Sequence, residues 1–547
     1  MDKYEVAQLL REVGMALEVI DTNPKKAISF YKAAHSIESA YDFDTLIKEK
    51  NFKSLAGVGD KISLMIEEIL SKGHLRYHQE LLKKFPLSLF ELKHIPGLNF
   101  RKIRTLYETL KITSIKQLEE AIAKKKLVKL TGFQPSFIKK LQTRIKAYKK
   151  KHSLLLPQAD IVSKGIVSIL QPWAKEVVLT GDLRRRLELI SEIEILVVSD
   201  KKEDCLKHIS SHSVVEKVLK RQKNGIHVLL KSGINCKITF VEEKKLSNKF
   251  FVSTGSKAHI EELSVPKKDL NENVYEKLGL PFIVPELREG HGEVKAAIKG
   301  AFNNLITLDD FKGVFHCHTL ASDGSNKLEE LAEAAIKRGW EYLGISDHSQ
   351  SSYQAGGLHI EELLQQIDAI KNLNHKFSQF QLLSGIECDI LKDGFLDYPD
   401  DVLKQLDFVI VSLHRYFNLD EELMTDRLIK AIENPYTTII GHLTGRILRS
   451  REPYHLNIPK IIDACIANGK VMELNAYPSR LDMDWRYWIK AQEKGLKCAI
   501  NPDAHSLRDL DNCRYGVDMA RKGWLTKESV INTMSLREIK EFLCHPK

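Results

Sequence analysis

The chain has 547 residues, 43% hydrophobic and 29% charged, with 83 Lys and Arg against 73 Asp and Glu for a formal net charge of +10. That balance excludes a disordered chain, and the length allows several hydrophobic cores, so three to five folding units are expected. Eight cysteines without a CxxC pair, no apolar run long enough to span a bilayer and no signal-peptide pattern exclude a disulfide-stapled or membrane-embedded protein, and predict reduced thiols in a cytoplasmic one.

Helical periodicity runs from the start of the chain to about residue 150. Within it, Leu55-Ala56-Gly57-Val58-Gly59-Asp60-Lys61-Ile62 has the pattern of helix, tight turn and helix, in which glycines let backbone N–H groups face a phosphate at a helix N-terminus. A second copy is Ile95-Pro96-Gly97-Leu98-Asn99-Phe100-Arg101-Lys102, where Asn99 stands for the second glycine as the residue that best tolerates left-handed backbone. A looser third is Leu130-Thr131-Gly132-Phe133-Gln134-Pro135. Residues 101–150 hold 15 Lys and Arg against three Glu, a net +12. Lys139-Lys140, Arg144, Lys146 and Lys149-Lys150-Lys151 fall near helical spacing and would make a basic stripe suited to a phosphate backbone. A solvated lysine-rich face is the plain alternative; two hairpins beside the stripe favour DNA binding independent of sequence.

Strands and helices then alternate, with a break near Leu308-Asp309-Asp310, after which βα units repeat. In these units polar side chains follow short apolar runs: Val314-Phe315 leads to His316 and His318 with Asp323 behind, Leu343-Gly344-Ile345 to His348, and Leu382-Leu383 to Glu387. Phe408 to Val411 leads to His414, Thr438 to Ile440 to His442, and Ala499-Ile500 to Asp503 and His505. Ligands at the strand ends of a βα barrel converge on one face, so nine such residues predict a multi-metal site. One strand-end His taken alone would more often be a hydrogen-bonded structural residue.

The motifs His316-Cys317-His318-Thr319, Ser322-Asp323-Gly324, Ser346-Asp347-His348-Ser349, Gly385-Ile386-Glu387, Ser412-Leu413-His414, Gly441-His442 and Asp503-Ala504-His505 resemble the PHP (polymerase and histidinol phosphatase) metallophosphoesterase domain. Thr180-Gly181-Asp182-Leu183-Arg184-Arg185, Ser253-Thr254-Gly255-Ser256-Lys257-Ala258-His259, Leu278-Gly279-Leu280-Pro281 and Pro285-Glu286-Leu287-Arg288-Glu289-Gly290 extend the resemblance along the chain to a bacterial family X DNA polymerase. The implied fold is multidomain. A helical, lyase-like domain with a helix-hairpin-helix covers 1–80 and a fingers-like domain with the second hairpin 81–152. An α/β nucleotidyltransferase-like palm covers 153–243, a thumb 244–308 and a (β/α)7 PHP barrel 309–547.

The resemblance implies three divalent ions, Mn²⁺, Zn²⁺ or Fe²⁺, in the barrel: one on His316, His318, Glu387 and Asp503, one on Glu387, His414 and His442, one on Asp323, His348 and His505. Glu387, Asp503, His318 and Arg446 are the expected catalytic groups, Arg446 or the third ion neutralising the phosphate. Gly57, Gly59, Lys61, Gly97, Asn99, Arg101, Lys102, Lys139, Lys140 and Arg144 are the expected DNA contacts. The palm departs from the family. Gly-Asp-Ile-Asp reads Ser191-Glu192-Ile193-Glu194, the third aspartate position is Lys237, Gly-Ser reads Gly181-Asp182, and Arg-Arg-Gly ends in Arg186. A cation and longer carboxylates suit Mg²⁺ poorly, so no Mg²⁺ is expected in the palm, and Lys237 is expected to pair with Glu192 or Glu194. Met65 stands where related repair polymerases carry a Schiff-base lysine, which leaves Lys61 as a phosphate contact. The expected function is metal-dependent hydrolysis of gapped, nicked or abasic DNA in repair, by 3′-5′ exonuclease, abasic endonuclease or 3′-phosphatase activity. The alternatives are a template-directed polymerase with unusual metal ligands, a PHP phosphatase acting on a metabolite such as histidinol phosphate, and a non-catalytic DNA-binding scaffold.

Overall fold

The computed structural model describes residues 3–544 except 21–23, 41–42, 56, 85–88, 90–91 and 94. It divides into two compact units, Met1–His152 with His212–Gly233, and Ser153–Ser211 with Ile234–Lys547. No described helix is long and apolar enough to cross a membrane.

The first unit is mostly helical. One core gathers Val13, Ile37, Phe52, Ile66 and Leu75, and a second gathers Leu98, Ile103, Leu118, Phe133 and Leu141, the apolar faces of short amphipathic helices. The strands Val215–Gln222 and Gly225–Leu230 form an antiparallel hairpin of this unit. From it Lys217 donates to Glu12, a buried carboxylate that also meets His78 Nε2 at 2.8 Å.

The second unit includes, in the span expected to form a palm, the strands β1 (Glu176–Thr180), β2 (Glu192–Val198) and β3 (Asn235–Phe240). β1 runs antiparallel to β2 and β2 parallel to β3, in a register that sets Glu194 opposite Lys237. The helices Glu243–Thr254 and Lys257–Glu262, in the span expected to form a thumb, close on Phe251, Ile260, Tyr275 and Leu287. There the buried His259 ring bonds Glu293 and Tyr275, each at 2.7 Å, which satisfies both nitrogens.

Seven parallel strands follow: β4 (Gly313–Val314), β5 (Tyr342–Ile345), β6 (Gln381–Asp389), β7 (Phe408–Ser412), β8 (Ile439–Ile440), β9 (Val471–Asn475) and β10 (Cys498–Asn501). Each pairs with its neighbour in chain order. Parallel strands flanked by helices are buried on both faces, which is why they read as continuous apolar runs. The two ends of the sheet are brought together by a parallel bridge from Cys317 to Ala504, through His318 N to Ala504 O at 2.9 Å and Ala504 N to His316 O at 3.1 Å. Phe408 fills the interior; a Cβ on Gly385 would sit 2.3 Å from its ring and one on Gly344 2.7 Å, so both positions require glycine.

Candidate active site

Because the seven strands are parallel, the residues that follow them emerge at one mouth of the barrel. All nine side chains singled out from the sequence meet there. His318, Asp323, His348 and His505 each bring a ligand atom within 4.8 Å of the others, as do His316, His318 and Asp503, and His348, Glu387 and His414. His442 Nε2 lies 2.9 Å from Glu387 Oε1, and His414 Nε2 3.3 Å from the same oxygen. Glu387 is thus the centre of the cluster, and His318 and His348 are shared between groups. Asp503 reaches it from a left-handed backbone (φ +51°), a conformation Asp tolerates better than most residues.

The donor set fits divalent ions by a test internal to the structure. His316 Nε2, both nitrogens of His318, His348 Nδ1 and Glu387 Oε1 are buried without a hydrogen bond, although carboxylate atoms lie 2.9–3.8 Å from the rings. Buried polar atoms are seldom left so, and a group of them facing one point could be satisfied by a cation. Mixed imidazole and carboxylate ligands suit several divalent metals.

A surrounding layer holds these side chains in place. Glu473 accepts from His316 Nδ1 at 2.7 Å, the His442 amide at 2.7 Å and Asn501 Nδ2 at 3.0 Å. Asp389 orients His414 through Nδ1 at 2.5 Å. Asp347 takes Thr319 N at 2.8 Å, Ser322 Oγ at 2.5 Å and Gln366 Nε2 at 2.6 Å, joining the loops after β4 and β5. Such partners fix ring orientation and tautomer. Burial and the His348 ring pull the His318 pKa down to about 4, so this ring is held neutral. Burial opposes charge on His316 as well, but Glu473, Asp503 and Glu387 lift its pKa well above the ordinary value.

The arginines divide unexpectedly. Arg446 donates from Nε to Arg480 O at 2.9 Å, from Nη1 to Asp484 at 2.5 Å and from Nη2 to Leu481 O, so its guanidinium ties down the 480–484 loop. Arg480, which the sequence reading passed over, places Nε 3.4 Å from Asp503 Oδ2 and leaves Nη1 buried without a hydrogen bond beside the cluster. Glu473 was passed over too. The apolar pair Val471-Met472 before it follows the same strand pattern as the candidate ligands and could have revealed it.

At the palm turn, charged groups meet one another. Asp182 accepts from Arg185 at 2.6 Å, and Arg185 also donates to Thr254 O at 2.7 Å and to Glu289 at 3.1 Å. Arg186 keeps a left-handed backbone (φ +59°) and grips Asp160 at 2.6 and 3.0 Å and Asp518 at 2.9 Å. Lys522, fully buried, donates to Arg185 O at 2.9 Å and to Glu289 at 2.6 Å. Lys237 Nζ lies 3.5 Å from Glu194.

In the first unit three turns share one geometry: Gly57 (φ +85°), Gly97 (φ +91°) and Gly132 (φ +85°) precede the helices Asp60–Lys72, Phe100–Leu110 and Pro135–His152. Left-handed backbone belongs to these first glycines. The reason expected for Asn99 is therefore corrected: it is extended (φ −80°), like Gly59 (φ −91°), and serves as an N-cap whose side chain accepts from Lys102 N at 3.0 Å. Lys61, Arg101, Lys139 and Lys140 are exposed. Lys102 instead packs its Nζ 4.7 Å over the Phe137 ring, and Arg144 buttresses the second turn by donating to Pro96 O at 3.0 Å. Ala56 and the side chains of Lys149, Lys150 and Lys151 lie outside the described residues.

Comparison with known proteins agrees with both ends of the chain. Residues 1–75 match the helix-hairpin-helix domain and residues 315–477 the PHP domain. The chain is 32% identical to the DNA polymerase/3′-5′ exonuclease PolX of Bacillus subtilis (strain 168), over 99% of each sequence. Its C-terminal part is similar to a probable phosphatase of Thermoanaerobacter sp. (strain X514), 32% identical over 42% of this chain and 94% of the relative. It is also similar to one of Caldanaerobacter subterraneus, 31% identical over 45% of this chain and 94% of that relative.

Proposed function

The chain belongs to the family of the DNA polymerase/3′-5′ exonuclease PolX, and we propose that within it this protein works in DNA repair as a metal-dependent phosphoesterase rather than as a polymerase. The barrel hydrolyses DNA at 3′ ends or abasic sites, on gapped, nicked or abasic duplexes, in the cytoplasm. The observation that carries this reading is the nine-residue cluster with its orphaned buried atoms, in a chain that also has helix-hairpin-helix turns with exposed cations. The probable phosphatases similar to the barrel favour hydrolysis of a phosphate ester.

Three ions, Mn²⁺, Zn²⁺ or Fe²⁺, are the cofactors this reading calls for, with His316, His318, Asp323, His348, Glu387, His414, His442, Asp503 and His505 as ligands. Ions so held supply Lewis acidity to the phosphate and an activated water, so no side chain need act as nucleophile. The protein contributes the rest. Glu387 and Asp503 hold the centre negative and rigid, Glu473 and Asp389 keep His316 and His414 aimed inward, and Arg480 presents its unpartnered Nη1 to a phosphate oxygen as charge builds up. Arg446, first expected in that part, positions the Arg480 loop instead.

In the palm, Asp182 and the Arg186 side chain stand at the turn where the family holds a triphosphate, and Lys237 sits against Glu194, so no Mg²⁺ pair is proposed there. DNA is held through Lys61, Arg101, Lys139 and Lys140 and the amides of the Gly57–Gly59 and Gly97–Asn99 turns. The test is to incubate the purified protein with end-labelled primer-template DNA and Mn²⁺, with and without dNTPs. Shortened products are expected in both; lengthened products would overturn the reading.

A further inference from the structure

One step from the metal cluster is a pocket of about 610 Å³ that none of the chemistry above uses. Its wall includes Asp389, the carboxylate that orients His414, so the pocket opens beside the residues that would hold the scissile phosphate. Its other polar lining residues are Ser351, Lys392, Asp393, Arg415 and Tyr416. A volume of this size accommodates a nucleotide.

Tyr416 lines the pocket together with the cations Lys392 and Arg415, and the Tyr353 ring packs against Arg415. Tyr416 is 51% exposed on a left-handed backbone (φ +60°), with Lys392 Nζ 5.9 Å from its ring centre and the Arg427 guanidinium at 5.7 Å on another approach. Tyr353 is 67% exposed and lies 4.5 Å beneath the Arg415 guanidinium. Phe395, 59% exposed, belongs to the same loop as Leu391 and sits under Lys430. Large rings left in water beside cations have unspent apolar area and a face for stacking. The two carboxylates of the pocket, Asp389 and Asp393, stand beside the cations Lys392 and Arg415. Asp389 is bonded to His414 and Ser352, and Asp393 accepts from the Phe395 amide at 3.2 Å within its own turn.

We propose that this pocket binds the single-stranded 3′ end of a DNA strand, with a nucleobase stacked on Tyr416 and the adjoining phosphate between Lys392 and Arg415. Stacking on an aromatic ring combined with a backbone cation is how single strands are held without regard to sequence. A compact phosphomonoester would engage the cations but leave the rings bare. The proposal rests on the reading of the barrel as a DNA phosphoesterase, and it adds how a frayed 3′ end is delivered to the cluster.

The experiment compares two substrates in the full-length Mn²⁺-loaded protein, a short 5′-labelled oligothymidylate and bis(p-nitrophenyl) phosphate, which has no base to place. Tyr416→Ala is expected to lower the ratio of kcat/KM for the oligonucleotide to that for the small diester about tenfold, chiefly through KM, while Tyr416→Phe keeps it within about twofold. In the unmodified protein, a 5-iodo-2′-deoxyuridine at the 3′ terminus should photocrosslink to the peptide containing Tyr416. An unchanged ratio in Tyr416→Ala, or a crosslink mapping away from this pocket, overturns the pocket alone. If the unmodified protein cleaves the small diester but leaves the oligonucleotide intact, the DNA reading fails and the pocket fails with it.

Discussion

The barrel mouth and the palm turn are both crowded with charge, but they dispose of it in opposite ways. At the barrel mouth, imidazoles and carboxylates converge from separate strands and stop short of hydrogen-bond geometry, leaving buried atoms such as His316 Nε2 and Glu387 Oε1 unsatisfied. At the palm turn, Asp182 is bonded to Arg185, Arg186 to Asp160 and Asp518, and Lys522 to the turn's own carbonyl. Unsatisfied polar groups are what a ligand site offers, whereas groups bonded to one another hold a turn rigid.

Predictions that could break this contrast begin with the cluster. Glu387→Gln and His318→Ala should each lower phosphodiester hydrolysis by ~10³-fold or more, since each ion contributes several kcal/mol at the transition state. Bound metal, counted by elemental analysis, should fall with it while DNA affinity holds. Hydrolysis surviving in Glu387→Gln would refute the assignment. Next is Arg480→Ala, for which a loss of about 10²-fold in kcat with metal content retained is expected. If Arg446→Ala costs as much while Arg480→Ala costs nothing, the two arginines have been assigned the wrong way round.

The palm side of the contrast is tested through stability. Arg186→Gly relieves a left-handed arginine but strands Asp160 and Asp518, so unfolding should become easier by about 2 kcal/mol net, read from chemical denaturation of the full chain. A stabilised variant would mean that the turn is held by something else. Lys237→Asp is expected to restore no nucleotide incorporation, because Asp182 and Arg186 remain; measurable primer extension in it would contradict this. The smallest effects belong to the helical unit. Affinity for duplex DNA should fall with salt at a log–log slope of about −0.7 to −0.9 per phosphate contacted, and Lys61→Ala should reduce the slope by about one contact. A flat salt response in the unmodified protein would remove the DNA interface.

The convergence of the nine side chains was legible because its information is local. A side chain that follows an apolar strand is carried to the barrel mouth by the strand itself, so chain position alone predicts convergence for His316, His318, His348, His414, His442 and Asp503. The helix-hairpin-helix turns were legible for a similar reason, since Gly57 and Gly97 mark left-handed backbone in any surroundings. The role of Asn99 was not, because extended N-cap and left-handed turn call for overlapping residue types and differ only in φ.

What remained for the tertiary structure to decide was the destination of long, charged side chains. Arg446 and Arg480 lie on loops, and nothing in their sequence neighbourhood says which guanidinium turns to the cluster and which to the carbonyls of Arg480 and Leu481. Arg186 finds Asp518 332 residues away, and Glu473 meets His316 across 157. Strand-end placement is set by backbone hydrogen bonding, which follows from local pattern. The partner of a flexible cation is set by whichever carboxylate or carbonyl the finished packing brings within about 3 Å, a distance fixed only once every element is in place.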